Sequence, residues 1–172
     1  VNNLFPTKIN DNHCSAGLLM QESIMLGNII NSNNPTTNDP KILKQSLIRL
    51  ALHEIGHTLG LNHNFKASFL NDSVSIHKSE ITQKIGVTSS VMEYPAINLA
   101  PLGITQGDYY DTIPGPYDEW AITFGYKPSL SAKERFQLLS RSSEPELMFG
   151  NDADDMRAPG KGVDPRAMIN DL

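Results

Sequence analysis

"LALHEIGHTLGLNHNF", Leu50 to Phe65, decides how this sequence is read. The residues before it, "DPKILKQSLIRLA", form a regular amphipathic helix pattern. Three histidines, one glutamate and two glycines then fall within eleven residues, His53 to His63. Glycine weakens a helix interior by roughly 1 kcal/mol relative to alanine. Histidine is neither a strong helix former nor a natural core residue. Propensity and packing therefore do not account for the run, and chemistry has to.

Spacing supplies that chemistry. His53 and His57 are four residues apart, so on a helix they share one face about one ~5.4 Å turn from each other. Two imidazoles so placed converge on a single ion at Zn–N distances of roughly 2.0–2.1 Å. Glu54 points about 100° round the helix from His53. It comes near a water on the ion without being a ligand, which is the H-E-x-x-H arrangement of zinc peptidases. On a continuing helix His63 would point about 120° away from His57 and could not share the ion. A break at Gly60, in the left-handed turn that ends helices, lets His63 swing under and supply a third nitrogen. Gly56 has no role that the spacing explains. Three His, one Glu and one Gly at fixed offsets arise by chance in a chain of this length on the order of once in a hundred thousand. Three of the five histidines of the chain lie in this window, which a surface helix carrying stray histidines does not predict.

Asp39-Pro40 marks the start of this helix, with Asp as N-cap and Pro at the first helical position. Ile42, Leu43, Leu47, Leu50, Ala51 and Ile55 recur at three- and four-residue steps and form one apolar stripe. The helix is expected to run to about Leu59.

The remaining composition bounds the answer. At 172 residues the chain suffices for one domain with a core. Its net charge of -5 offers no basic patch to neutralise phosphates, which argues against a nucleic-acid partner. No apolar run approaches the ~20 residues of a membrane span. Cys14 is the one cysteine, so no internal disulfide forms. The sequence opens on Val1 without a signal pattern, which suggests a segment of a longer chain. Ala16 to Ile30 looks like a strand pair or one long strand. A short helix is expected in "SEITQKIG", a turn-rich path through "VMEYPAINLAPLG", and a helix starting at Asp118 with that residue as N-cap. Another is expected over Ser131 to Ser142, with a short one after Asp164-Pro165. Trp120 and Phe124 read as core on the Asp118 helix.

"HEIGHTLGLNH" has the form H-E-x-x-H-x-x-G-x-x-H and resembles the signature of the metzincin zinc endopeptidases. "SSVMEYP" is similar to the methionine turn of that family, with Met92 as the turn methionine and Tyr94 two residues on. "YDEWAITFGY" is similar to its C-terminal helix. The resemblance covers most of the chain from Asp39 onward, and is closest to large secreted or envelope-associated bacterial metzincins. It implies an α+β, zincin-like catalytic domain over 1–172. Residues 1–38 would be the remnant of a reduced or truncated N-terminal sheet, with its edge strand in Ala16–Ile30. Residues 39–63 would be the active-site helix and third ligand, and 64–172 the lower subdomain.

The resemblance further implies Zn2+ held by His53, His57 and His63, Glu54 as general base, and an apolar floor at Met92. Tyr94 would be a ligand or a support for the oxyanion, with Gly60 and Asp118 as structural support. Peptide or protein would be the substrate, and the cell envelope or exterior the location. Two alternatives stay open: a binding or scaffold domain that keeps zinc without catalysis, and a zinc hydrolase of non-peptide amides. His13 and Cys14 read as a loop pair, although a free thiol caps zinc in some latent peptidases. The Asp152, Asp154 and Asp155 cluster matches no calcium-loop spacing and reads as a solvated turn. His77 is expected to face solvent. Tyr109 and Tyr110 fit a cleft wall or packing equally well.

Overall fold

The computed structural model describes residues 16–32 and 40–151. His13, Cys14, Asp39, the acidic cluster at 152–155 and the expected helix after Asp164 lie outside them. Among the described residues five helices succeed one another: α1 Ala16–Ser32, α2 Pro40–Thr58, α3 Ser79–Ile85, α4 Pro116–Tyr126 and α5 Ala132–Ser140. Three short 3-10 turns, Ala67–Phe69, Ser75–His77 and Pro145–Leu147, punctuate the connections. No helix among the described residues is long and apolar enough to cross a membrane.

The first correction concerns Ala16–Ile30, where a strand was expected. It is helical from Ala16 to Ser32, and the described residues contain no strand, so the reduced or truncated N-terminal sheet is not seen there. Seventeen residues exceed an ordinary strand, and Ala, Leu, Met, Gln and Glu in the segment all favour helix. Met20, Ile24 and Gly27 follow one another at helical steps and meet the core. The two side chains pack on the cluster of Ile42, Ile97, Tyr109 and Tyr110. A Cβ on Gly27 would stand 2.8 Å from Ile97 Cδ1. Tyr109 and Tyr110 are therefore packing residues.

The buried face of α2 is not its apolar stripe. Its buried residues are Ile42, Gln45, Ser46, Arg49, His53 and Gly56. Leu43 and Leu47, each 58% exposed, and Ile55 of the apolar stripe point outward. The inward face is polar because the segments it packs against carry polar groups to be paired. Gln45 donates to Asp108 Oδ1 at 2.7 Å and accepts from the Tyr109 N–H at 2.7 Å. Lys41 pairs with Asp108 at 3.1 Å, and Thr82 of α3 donates to the same carboxylate at 2.5 Å.

α4 begins two residues before Asp118. Gly115 is the N-cap, and Asp118, at the third helical position, accepts the Gly115 N–H at 2.9 Å. α5 begins with a capping box in which Ser131 and Glu134 exchange hydrogen bonds. Trp120 ties the two helices by donating from Nε1 to Leu138 O at 2.8 Å. It is half-buried, as is Phe124, so this pair joins α4 to α5 at the edge of the molecule. His77 is half-buried within the Ser75–His77 turn, not solvent-facing.

Candidate metal centre

α2 stops where the spacing requires. The Gly60 N–H bonds to His57 O at 2.9 Å and the Leu61 N–H to Gly56 O at 3.0 Å, the paired bonds of a Schellman turn. Gly60 holds φ +82° with open space around its Cβ position, so its constraint is conformational and not steric. The reversal returns the chain to the helix end and puts His63 against His53 and His57. Their ligand nitrogens all lie within 4.8 Å of one another.

Hydrogen bonds decide which nitrogen His53 and His57 present. His53 Nδ1 donates to Val91 O at 2.7 Å, and His57 Nδ1 donates to Leu61 O at 3.0 Å. Both rings are thereby left with Nε2 as the lone-pair nitrogen. His57 Nε2 is buried and has no hydrogen-bond partner, a costly arrangement unless an ion takes the lone pair. His63 Nε2 is hydrogen-bonded to the Tyr94 hydroxyl at 2.8 Å. Burial first, and the Arg49 guanidinium second, push the His53 imidazole down to about 3, so it is neutral at pH 7 as a ligand must be. Three imidazole nitrogens make a donor set that fits a zinc ion with an open fourth position. Glu54 is on the exposed side of α2.

Met92 is fully buried against Gly56 of α2. A Cβ on Gly56 would overlap the Met92 sulfur, which explains the glycine that spacing left unexplained. The Met92 turn is fastened from three directions. Asp118 accepts from Ser90 Oγ at 2.6 Å and from the Val91 N–H at 2.8 Å. Glu93 accepts from the Ala67 and Tyr94 N–H groups, each at 3.0 Å, and from Ser68 Oγ at 3.3 Å. Burial pushes its carboxyl up to about 7 against those bonds. Arg49 donates to Val91 O and, at 2.5 Å, to Glu93 O.

Asn64 fastens the strip that carries His63. Its N–H donates to Met92 O at 3.0 Å, and its side chain bonds Met148 O and the Gly150 N–H. Arg49, Asn64 and Glu93 were missed in the sequence. A signal existed for Arg49: Gln45, Arg49 and His53 follow at four-residue steps and form one polar row along the helix. Asn64 and Glu93 adjoin recognised residues but show no pattern of their own.

A sequence profile of the family described as Met-zincin matches residues 36–172. No curated protein and no solved structure matches the chain significantly. The matched stretch takes in the whole three-histidine cluster and the methionine turn beneath it. The chain belongs to the Met-zincin family, and with it come a zincin-like fold and a zinc-metalloprotease kind of function.

Proposed function

We propose that this protein is a zinc-dependent endopeptidase in which His53, His57 and His63 hold the metal and Glu54 is the general base. The observation that carries the reading is the convergence of the three imidazoles, with His57 Nε2 buried and unpaired. When bound, zinc supplies Lewis-acid polarisation of the scissile carbonyl and lowers the pKa of water toward ~7. The chain's own groups do the rest. Glu54 accepts the proton of the attacking water and delivers it to the leaving amine. The Tyr94 hydroxyl, hydrogen-bonded to His63 Nε2, would turn to donate to the oxygen that gains charge once the metal takes that nitrogen. Met92 keeps the floor apolar and dry.

The test pairs metal content with peptide cleavage in wild type, Glu54→Gln and Tyr94→Phe. Loss of a general base lowers the rate by roughly 10²–10⁴-fold, with zinc retained, and loss of an oxyanion donor by roughly 10²–10³-fold. A Glu54→Gln protein that keeps zinc and cleaves like wild type would sink the assignment of the base.

A further inference from the structure

We propose that Arg49 is a positioning residue for the metal centre, holding the Val91 carbonyl on which the His53 imidazole is aimed. This rests on the zinc reading of His53, His57 and His63. Arg49 lies one turn before His53 on the same face of α2, and each is 1% exposed. Its Nη1 donates to Val91 O and its Nη2 to Glu93 O, while Nε faces Asp111 Oδ2 at 3.4 Å. Val91 O is also the oxygen that accepts from His53 Nδ1. One carbonyl, with its two lone pairs, is thus shared between a guanidinium and a ligand histidine.

Sharing has a geometric consequence. The Val91 carbonyl cannot turn away from His53 without breaking a buried charge-assisted bond. The His53 ring therefore keeps its tautomer and its plane, with Nε2 toward His57 and His63. A guanidinium suits this task because its rigid fork reaches two carbonyls of the turn and a carboxylate together, whereas an ammonium is a point charge. An apolar side chain would leave both turn carbonyls short of a donor in a dry interior. Asp111 is itself tied down by the Val87 and Thr88 N–H groups at 2.6 and 3.0 Å, so the clamp is anchored at its far end.

The test measures zinc affinity by chelator competition, with the Co(II) absorption spectrum alongside, on the full chain. Wild type is compared with Arg49→Lys, with the charge-matched pair Arg49→Met/Asp111→Asn, and with Ile42→Ala. Ile42 is a core residue that takes no part in the metal centre, and its truncation controls for lost stability alone. Loss of such an outer partner weakens metal binding by roughly 10–100-fold. We expect that loss, with a shifted Co(II) spectrum, in the double variant, a smaller loss in Arg49→Lys, and wild-type affinity in Ile42→Ala. Arg49 variants that bind zinc like wild type, or an Ile42→Ala loss as large as theirs, would overturn the proposal. Nitrogen-15 NMR of the metal-free wild type tests the geometry whether or not the variants fold. A slowly exchanging His53 Nδ1 proton is expected, and a freely exchanging one counts against the clamp. Wild type that takes up no zinc removes the zinc reading and the positioning role with it, while a negative result confined to the Arg49 variants removes only the latter.

Discussion

Gly56 and Gly60 stand four residues apart and are glycine for opposite reasons. At Gly60 there is room for a Cβ but the backbone sits at φ +82°, where an L side chain pays roughly 1–2 kcal/mol. Gly60→Ala should therefore destabilise by about that amount in chemical denaturation, and Gly60→Asn by less, since Asn tolerates the left-handed region better. At Gly56 the backbone is helical, and alanine gains roughly 1 kcal/mol of propensity. Its Cβ nevertheless falls on the Met92 sulfur. Overpacking of that kind costs about 1–3 kcal/mol, so Gly56→Ala should show a net loss in stability. Restoring space with Gly56→Ala/Met92→Ala should relieve the overlap but leave the floor of the site thinner. Zinc affinity falling in Gly56→Ala while α2 stays helical by circular dichroism would locate the effect at the turn.

At the scale of the element, α2 inverts the ordinary meaning of its pattern. Its apolar stripe faces outward at Leu43, Leu47 and Ile55, while Gln45, Arg49 and His53 make the buried face. Leu47→Ala should change stability by no more than about 0.5 kcal/mol, and Ile42→Ala should cost about 2–5 kcal/mol. Denaturant midpoints for the two variants decide between the observed face and the one periodicity suggests. The contrast shows what was legible. Helix start, helix stop, His53, His57 and the return of His63 are local chemistry, written within two dozen residues. The polar face of α2 was not legible because its partners lie far along the chain: Val91 is 42 residues from Arg49 and Asp108 is 63 from Gln45. α1 was misread because a dense apolar run carries little periodicity, and length and helix-forming composition had to arbitrate. Asp118 was read as the N-cap and as structural support of its helix; Gly115 is the cap, and Asp118, at the third position, bonds the Gly115 N–H and holds the Met92 turn.

Across the whole molecule, buried charge joins parts of the chain that share little apolar core. Arg49 of α2 meets Asp111, with Asp118 of α4 and Glu93 of the Met92 turn nearby, and burial raises the Asp111 and Asp118 carboxyls against the pull of Arg49. Two groups give the metal-free protein opposing pH slopes. Glu93 rises from an ordinary 4.5 to about 7, so its folded form binds a proton that the unfolded form has lost. Stability from that proton is complete below about 4.5 and is lost as pH rises to about 7. His53 falls from 6.5 to about 3, so its contribution is complete above about 6.5 and is lost as pH falls toward 3. The stability cost of Glu93→Gln should therefore shrink by about 3 kcal/mol between pH 4.5 and 7, measured by denaturant unfolding across that range. A cost that is constant with pH would show that folding leaves the Glu93 pKa unshifted. X-ray absorption at the zinc edge of the loaded full chain tests the proposed three-histidine centre. One zinc per chain is expected, with three imidazole nitrogens at about 2.0–2.1 Å, one of them lost in His63→Ala. A shell with fewer than three imidazoles, or one unchanged by His63→Ala, would contradict it.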